Sequence, residues 1–154
     1  DVRGIIRVHE FRKIEMVVFC LPEESDAIHE KLREIEEEIW TELEVPYQLI
    51  KMATGDLGNA ATRKYDIEAW MPSQNKYREV TSTSNTTDFQ ARRLGIKVRR
   101  NGATEYLHTL NGTAFALGRA MVAIYENYQN EDGSISIPKA MQKWIETDVI
   151  PVIK

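Results

Sequence analysis

The chain has 154 residues, 42% hydrophobic and 29% charged, which fits one globular domain large enough to bury a core. A formal net charge of -4 excludes a protein that holds nucleic acid by bulk charge, since such binding needs Lys and Arg clustered against phosphates. No apolar stretch approaches the roughly 18 to 20 residues that span a bilayer, Asp1-Val2-Arg3-Gly4 lacks signal-peptide features, and the lone Cys20 excludes a disulfide framework, so a cytoplasmic, reducing setting with no membrane partner is expected.

Residues Val8 to Leu21 are expected to be extended, because Ile14, Met16 and Val18 alternate with Lys13, Glu15 and Val17 before an apolar end that buries Cys20. Pro22, Glu23 and Glu24 open a helix, as proline suits the first helical position and carboxylates suit the positive end of the dipole. Its apolar stripe is read as Ile28, Leu32, Ile35, Ile39 and Leu43, with an acidic, solvent-exposed face that includes Glu36 to Glu38. A strand over Tyr47 to Met52 and a turn over Thr54 to Asn59 follow.

Arg63 to Met71 and Tyr77 to Asn85 read as two strands, joined by the turn formers Pro72-Ser73-Gln74-Asn75 into an antiparallel hairpin. Depending on register, one face of that hairpin carries Asp66 and Glu68 with either Glu79 or Arg78. A short helix from Asp88 to Leu94 leads through a basic, Gly-containing loop to a strand around Glu105 to Leu110. Asn111-Gly112-Thr113 is read as the end of that strand, with Thr113 capping a helix from Ala114 to Tyr128. Runs of strands with a few flanking helices predict an α+β fold with an antiparallel sheet. The sequence has neither GxxxxGK[ST] nor GxGxxG, so a nucleotide site would have to use side chains on strands.

From the residues alone, Glu15, Glu68 and Glu79 on strands and Arg119 on a helix could surround a polar pocket. The plainer reading, solvent-facing carboxylates and a surface ion pair, is the stronger one at this point. His9, His29 and His108 lack metal-ligand spacing, and no GxSxG elbow supports hydrolase chemistry. Any RNA contact has to be local. The run Arg92, Arg93, Lys97, Arg99 and Arg100 is its best candidate, although such mixed-charge segments are more often solvated loops.

The wording of the sequence is more specific than its pattern. Arg3-Gly4-Ile5-Ile6-Arg7-Val8-His9-Glu10-Phe11-Arg12-Lys13-Ile14-Glu15 resembles the second half of motif two in seryl-tRNA synthetases, a family of class II aminoacyl-tRNA synthetases. Thr54-Gly55-Asp56-Leu57-Gly58, Tyr65 to Pro72, and Tyr77 to Ser82 with Asp88 to Arg93 resemble further blocks of that family in order. His108 to Thr113 with Gly118-Arg119 and Glu126 to Gln129 resembles its motif three. Residues 1–154 would then be the part of an adenylate-forming catalytic domain that runs from the motif-two loop through motif three.

The resemblance implies ATP-dependent activation of serine and its transfer to serine tRNA. It assigns the ATP site to Val8, His9, Glu10 and Phe11, to Glu79, Val80, Thr81 and Ser82, and to Arg119, with Phe11 stacking on adenine and Arg119 on the γ-phosphate. Glu79 and Arg119 would be the catalytic pair, Glu79 and Ser82 the ligands of Mg2+, and Glu15, Asn111 and Thr113 the serine subsite. Glu10 stands where the family usually has Gln. The resemblance further implies a homodimer for the full-length protein, with motif one, the first motif-two strand and the tRNA-gripping helical arm outside this chain, which alone would be inactive. A non-catalytic paralogue that binds nucleotide, amino acid or protein, and a ligase that charges a carrier protein, remain alternatives.

Overall fold

The computed structural model describes residues 4–152; Arg3, at the head of the motif-two segment, lies outside them. A single 3-10 turn at Gly4–Ile6 and an irregular stretch precede strand β1 (Lys13–Cys20), so the extended segment is shorter than its sequence pattern suggests. A 3-10 turn at Pro22–Glu24 then feeds helix α1 (Ser25–Glu42).

The buried side of α1 differs from the expected stripe. His29, Leu32, Glu36 and Trp40 are its buried residues beyond Ser25, and Leu43 extends the same line. Their spacing of three and four residues keeps them on one face. Ile28, Ile35 and Ile39 sit half-buried beside it. Glu36, expected in solvent with Glu37 and Glu38, is 0% exposed. The reason is tertiary: Trp40, the largest side chain of the helix, packs fully into the core, and that rotation carries Glu36 under the sheet.

Strands β2 (Tyr47–Lys51), β3 (Arg63–Met71) and β4 (Lys76–Asn85) follow. The expected β3–β4 hairpin is present, closed by a 3-10 turn at Pro72–Gln74 and by Asn75 in the left-handed region at φ 49°. Helix α2 (Phe89–Leu94) ends at Gly95. The stretch read as a basic loop is instead a second hairpin, β5 (Lys97–Arg100) and β6 (Ala103–Tyr106). Asn101 and Gly102, at φ 51° and 79°, form its turn, and Asn-Gly is the dipeptide that tolerates such angles in a tight hairpin.

Strand β7 (His108–Ala116) corrects another expectation. Asn111-Gly112-Thr113 does not end the strand but lies in its middle, and helix α3 (Leu117–Tyr128) starts four residues after Thr113, with no side-chain cap. Pairing with β1 and β4 outweighs the local Gly and cap signals. The chain closes with β8 (Ile135–Ser136), helix α4 (Lys139–Ile145) and β9 (Val149–Ile150).

The main sheet has the order β1-β7-β4-β3-β2 and is antiparallel throughout, the architecture expected for the α+β class. One face is covered by α1 and α3: Trp40, Leu43, Ile67, Met71, Ala120, Ala123 and Ile124 form one cluster, while Leu32 joins Cys20, Leu110, Met16 and Val18 in a second. Cys20 is a buried thiol whose pKa burial pushes up, in keeping with an inert packing role. The opposite face of the sheet carries the polar residues considered next.

Candidate active site

Two irregularities in the ladders determine which side chains reach the open face. In β4 the pairing steps from Ile67↔Thr81 to Glu68↔Glu79, which leaves Val80 as an extra residue. In β7 it steps from Glu15↔Thr113 to Ile14↔Phe115, which leaves Ala114 extra. Each bulge reverses the alternation of its strand. Thr81 therefore faces α1 while Glu79 and Ser82 share the open face. Thr113 faces open beside Glu15 while Phe115 stacks with Trp40 at a centroid distance of 6.3 Å.

The register also resolves the hairpin: Glu79 is opposite Glu68 and Arg78 is opposite Ala69. Two carboxylates directly across a ladder repel unless they are neutralised. Gln48 Nε2 donates to Glu68 Oε2 at 2.7 Å, and Arg119 Nη1 lies 3.6 Å from Glu79 Oε1. Arg119 also donates to the backbone oxygen of Glu79 at 2.6 Å, which ties the first turn of α3 to β4.

A cavity of about 210 Å³ lies between the 3-10 turn at Gly4–Ile6, the start of α3 and strands β1, β4 and β7. Of the residues singled out in the sequence, it is lined by Val8, Phe11, Glu79, Val80, Thr81, Ser82, Thr113 and Arg119. Thr81 belongs to it by its backbone, because its buried hydroxyl points the other way and donates to Glu36 Oε2 at 3.3 Å. Glu15 sits next to the cavity: Thr113 Oγ1 donates to Glu15 Oε2 at 2.9 Å, and Lys13 Nζ lies 2.7 Å from the same oxygen. His9, Glu10 and Asn111 are not among the lining residues. His9 and Glu10 are exposed in the loop before β1, and the Asn111 carbonyl accepts from Thr83 Oγ1 at 3.1 Å.

Arg7 and Lys13, to which the sequence reading assigns no role, also line the cavity. Three cationic side chains, Arg7, Lys13 and Arg119, thus border a space whose other polar walls are Glu79, Ser82 and Thr113. Their signal in the sequence was the basic spacing of the motif-two segment itself. Phe11, 57% exposed, offers an open aromatic face at the mouth. Chemically this is a place for a polyanion bearing an apolar ring, beside a carboxylate able to hold an ammonium group.

Behind the sheet, Glu36 Oε1 has no hydrogen-bond partner, and burial pushes the carboxyl pKa up to about 8, with the charges of Glu15 and Asp66 acting in the same direction. His29 is fully buried and its pKa is held down by burial, while its Nδ1 accepts from Arg63 Nε at 2.9 Å. His108 pairs with Ser25 Oγ at 2.9 Å, so His29 and His108 serve separate structural contacts. Among the described residues, no group of three or more His, Cys, Asp or Glu side chains could hold a metal ion by itself. No helix among them is long and apolar enough to cross a membrane.

The basic run is largely occupied within the chain. Arg92 pairs with Asp88 at 2.6 Å, Arg93 lies over the Phe89 ring at 3.6 Å, Lys97 lies over Tyr106 at 4.8 Å, and Arg100 pairs with Glu23 and Glu105. These partners support the reading of this segment as a solvated surface rather than a row of phosphate contacts.

The antiparallel sheet is thus covered by helices on one face and carries Glu15, Glu79, Ser82 and Thr113, with the helix-borne Arg119, on the other. Residues 1–128 match the tRNA synthetase class II core domain (G, H, P, S and T), and the chain belongs to that family. Within it, the similarity is to enzymes for serine. The chain is 56% identical over 149 residues to a serine-tRNA ligase of Rubrobacter xylanophilus and 50% identical over 161 residues to that of Korarchaeum cryptofilum, covering 96% and 100% of this chain. It spans about 35% of the length of these curated relatives. The structure of seryl-tRNA synthetase from Pyrococcus horikoshii complexed with ATP matches 100% of the chain and 35% of its own, with a TM-score of 0.97 at 51% identity. That of the cytoplasmic serine-tRNA ligase from Naegleria fowleri in complex with AMP matches 98% and 36%, with a TM-score of 0.91 at 37% identity.

Proposed function

We propose that residues 1–154 form the part of an adenylate-forming catalytic domain that runs from the motif-two loop through motif three, in a cytoplasmic, homodimeric enzyme that activates serine with ATP and transfers it to serine tRNA. The observation that carries this reading is the convergence of Glu79, Ser82, Thr113 and Arg119 on one cavity beside Glu15. The likeness to a synthetase complexed with ATP supports it further.

In this reading the adenine stacks on Phe11 while the backbone of Val8, His9 and Glu10 reads its edge, since an aromatic face recognises a base without needing charge. The Arg119 guanidinium holds the γ-phosphate, with its planar fork of donors matched to phosphate oxygens. Val80 and Thr81 contribute backbone along the triphosphate. Glu79 and Ser82 are hard oxygen donors in one cavity, which suits Mg2+, because that ion takes one or two protein carboxylates and completes its shell with substrate phosphates and water. Bound there, the ion would supply neutralisation of the triphosphate charge.

Serine binds with its ammonium on Glu15 and its hydroxyl near Thr113 and Asn111. Glu15 Oε2 already meets one ammonium, from Lys13, and one hydroxyl, from Thr113, which are the donor types a serine molecule carries. A serine carboxylate oxygen attacks the α-phosphorus, the bond to the bridging oxygen breaks, and pyrophosphate leaves. No general base is required because the carboxylate is already the nucleophile, so alignment and charge stabilisation carry the rate. A hydroxyl of the terminal adenosine then attacks the seryl carbonyl and AMP departs.

The test is serine-dependent exchange of labelled pyrophosphate into ATP by the protein that carries this chain. Exchange with serine but not alanine is expected, because a site built to bond the hydroxyl leaves buried polar groups unpaired without it. An absence of exchange rejects the proposal. Charging of a carrier protein instead of tRNA would reassign the second step.

A further inference from the structure

Gly112 lies between Asn111 and Thr113 in β7, and alternation along a strand points it the opposite way from both, toward α1. A Cβ at that position would lie 2.7 Å from Glu36 Oε1 and 2.8 Å from Thr83 Oγ1. The Glu36 carboxyl therefore occupies the space that a side chain at residue 112 would take. Its other oxygen accepts from Thr81 Oγ1 at 3.3 Å, on the strand that carries Glu79 and Ser82. Thr83 in turn donates to the Asn111 carbonyl at 3.1 Å. One side chain from α1 thus rests against both strands directly behind the open face.

A carboxyl is an expensive choice for a merely structural filler here. It is 0% exposed and its Oε1 has no partner, and an unpaired buried polar atom is destabilising where an apolar group of the same shape is not. Glu36 is not among the residues that line the cavity. Its effect on the open face has to pass through Gly112 and Thr81.

We propose that Glu36 is a positioning residue for the serine subsite: from behind the sheet its carboxyl sets the height of Gly112 in β7 and thereby the placement of the Asn111 and Thr113 side chains that flank it. This deepens the reading of the open face as the serine-activating site and rests on it. The packing provides the mechanism, since close-packed interiors transmit small displacements, and a shift of about 1 Å at a reacting group can reduce rate by about a hundredfold.

Pyrophosphate exchange measured separately against serine and ATP, in the protein that carries this chain, tests it with three variants. Glu36→Gln keeps the shape and the bond to Thr81, and its KM for serine should stay within about twofold of wild type, while Glu36→Ala leaves a void under Gly112. Glu36→Leu fills the space without the bond and should fold, because the unpaired buried oxygen it removes offsets the Thr81 hydroxyl it leaves without an acceptor. Leu and Ala are expected to raise the KM for serine about tenfold while changing the KM for ATP by less than about threefold, the pattern of a shifted subsite. If Leu leaves the KM for serine within twofold, or moves both KM values in step, the proposal is overturned whatever happens to Ala. If wild type shows no serine-dependent exchange, the functional reading fails and this inference with it.

Discussion

On the helix side of the main sheet, Trp40, Ile67, Met71 and Leu110 are entirely removed from solvent, whereas on the open side of the same sheet Glu79, Ser82 and Thr113 line a cavity with Glu15 beside it. The two sides are separated by one residue step, and the bulges at Val80 and Ala114 decide which side chain falls where. In the proposed reading, stability and chemistry are therefore segregated by face. A change on one side should register mainly in melting temperature, a change on the other mainly in rate. Glu36 is the exception, as a polar group on the stability side that touches strands of the chemical side.

The contrast can be tested by substitution. Trp40→Ala should produce the largest effect, a loss of about 3 to 5 kcal/mol in unfolding free energy from cavity formation in the helix-side cluster, visible in denaturant titration. Arg119→Ala should do the reverse. Removal of one preorganised charge donor lowers the rate of pyrophosphate exchange by about 10² to 10³, equivalent to about 2.7 to 4 kcal/mol, while the melting temperature stays close to wild type. Equal losses of stability and activity in both variants would break the division between faces.

The pH dependence sharpens the exceptional status of Glu36. Its carboxyl ionises near 4.5 in an unfolded chain and near 8 in the folded protein, so the folded state retains a proton that the unfolded state releases. The associated stability is fully present below about 4.5 and is lost as pH rises toward 8, at about 1.4 kcal/mol per pH unit in the limiting slope. Glu36→Gln removes this titration. The stability advantage of Gln over Glu should grow between those pH values and level off above them, as followed by denaturant unfolding across a pH series. A difference independent of pH would mean that Glu36 is ionised in the fold.

The smallest expected effect concerns β1, which among the described residues is an edge of the sheet. Val17 and Phe19 stand on its open face at 60% and 54% exposure. Exposed apolar residues on a strand with one open edge favour association with other chains. Val17→Lys with Phe19→Lys should lower self-association of the isolated chain in sedimentation without a large change in its melting temperature. A monodisperse wild-type chain under the same conditions would contradict the expectation.

Much of the fold was legible where local chemistry and final structure agreed. The β3 boundaries, the β3–β4 hairpin and the short α2 followed from alternation, turn formers and length. The hairpin of β5 and β6 was legible too, in Asn101-Gly102, but the surrounding charges obscured it. Glu79 and Arg119 stood out in the residues alone only as the weaker of two readings, and Ser82 and Thr113 as site residues only by resemblance, because a polar side chain on a strand looks alike whether it faces solvent or a cavity. Arg7, in the loop before β1, and Lys13, at the start of β1, were marked only by the basic spacing of the motif-two segment, which does not say what either side chain borders.

The amino-acid sequence by itself determined the class of fold, the order of most strands and helices, and the family to which the chain belongs, because periodicity, turn chemistry and motif wording are local properties. Only the tertiary structure decided that Thr113 is a strand residue rather than a helix cap, that Glu36 is buried rather than solvated, and that Thr81 turns away from the cavity while Glu79 turns toward it. Each of those outcomes depends on strand pairing, bulge position or the rotation of α1 under the sheet. These are agreements between residues distant in the chain, and no local pattern encodes them.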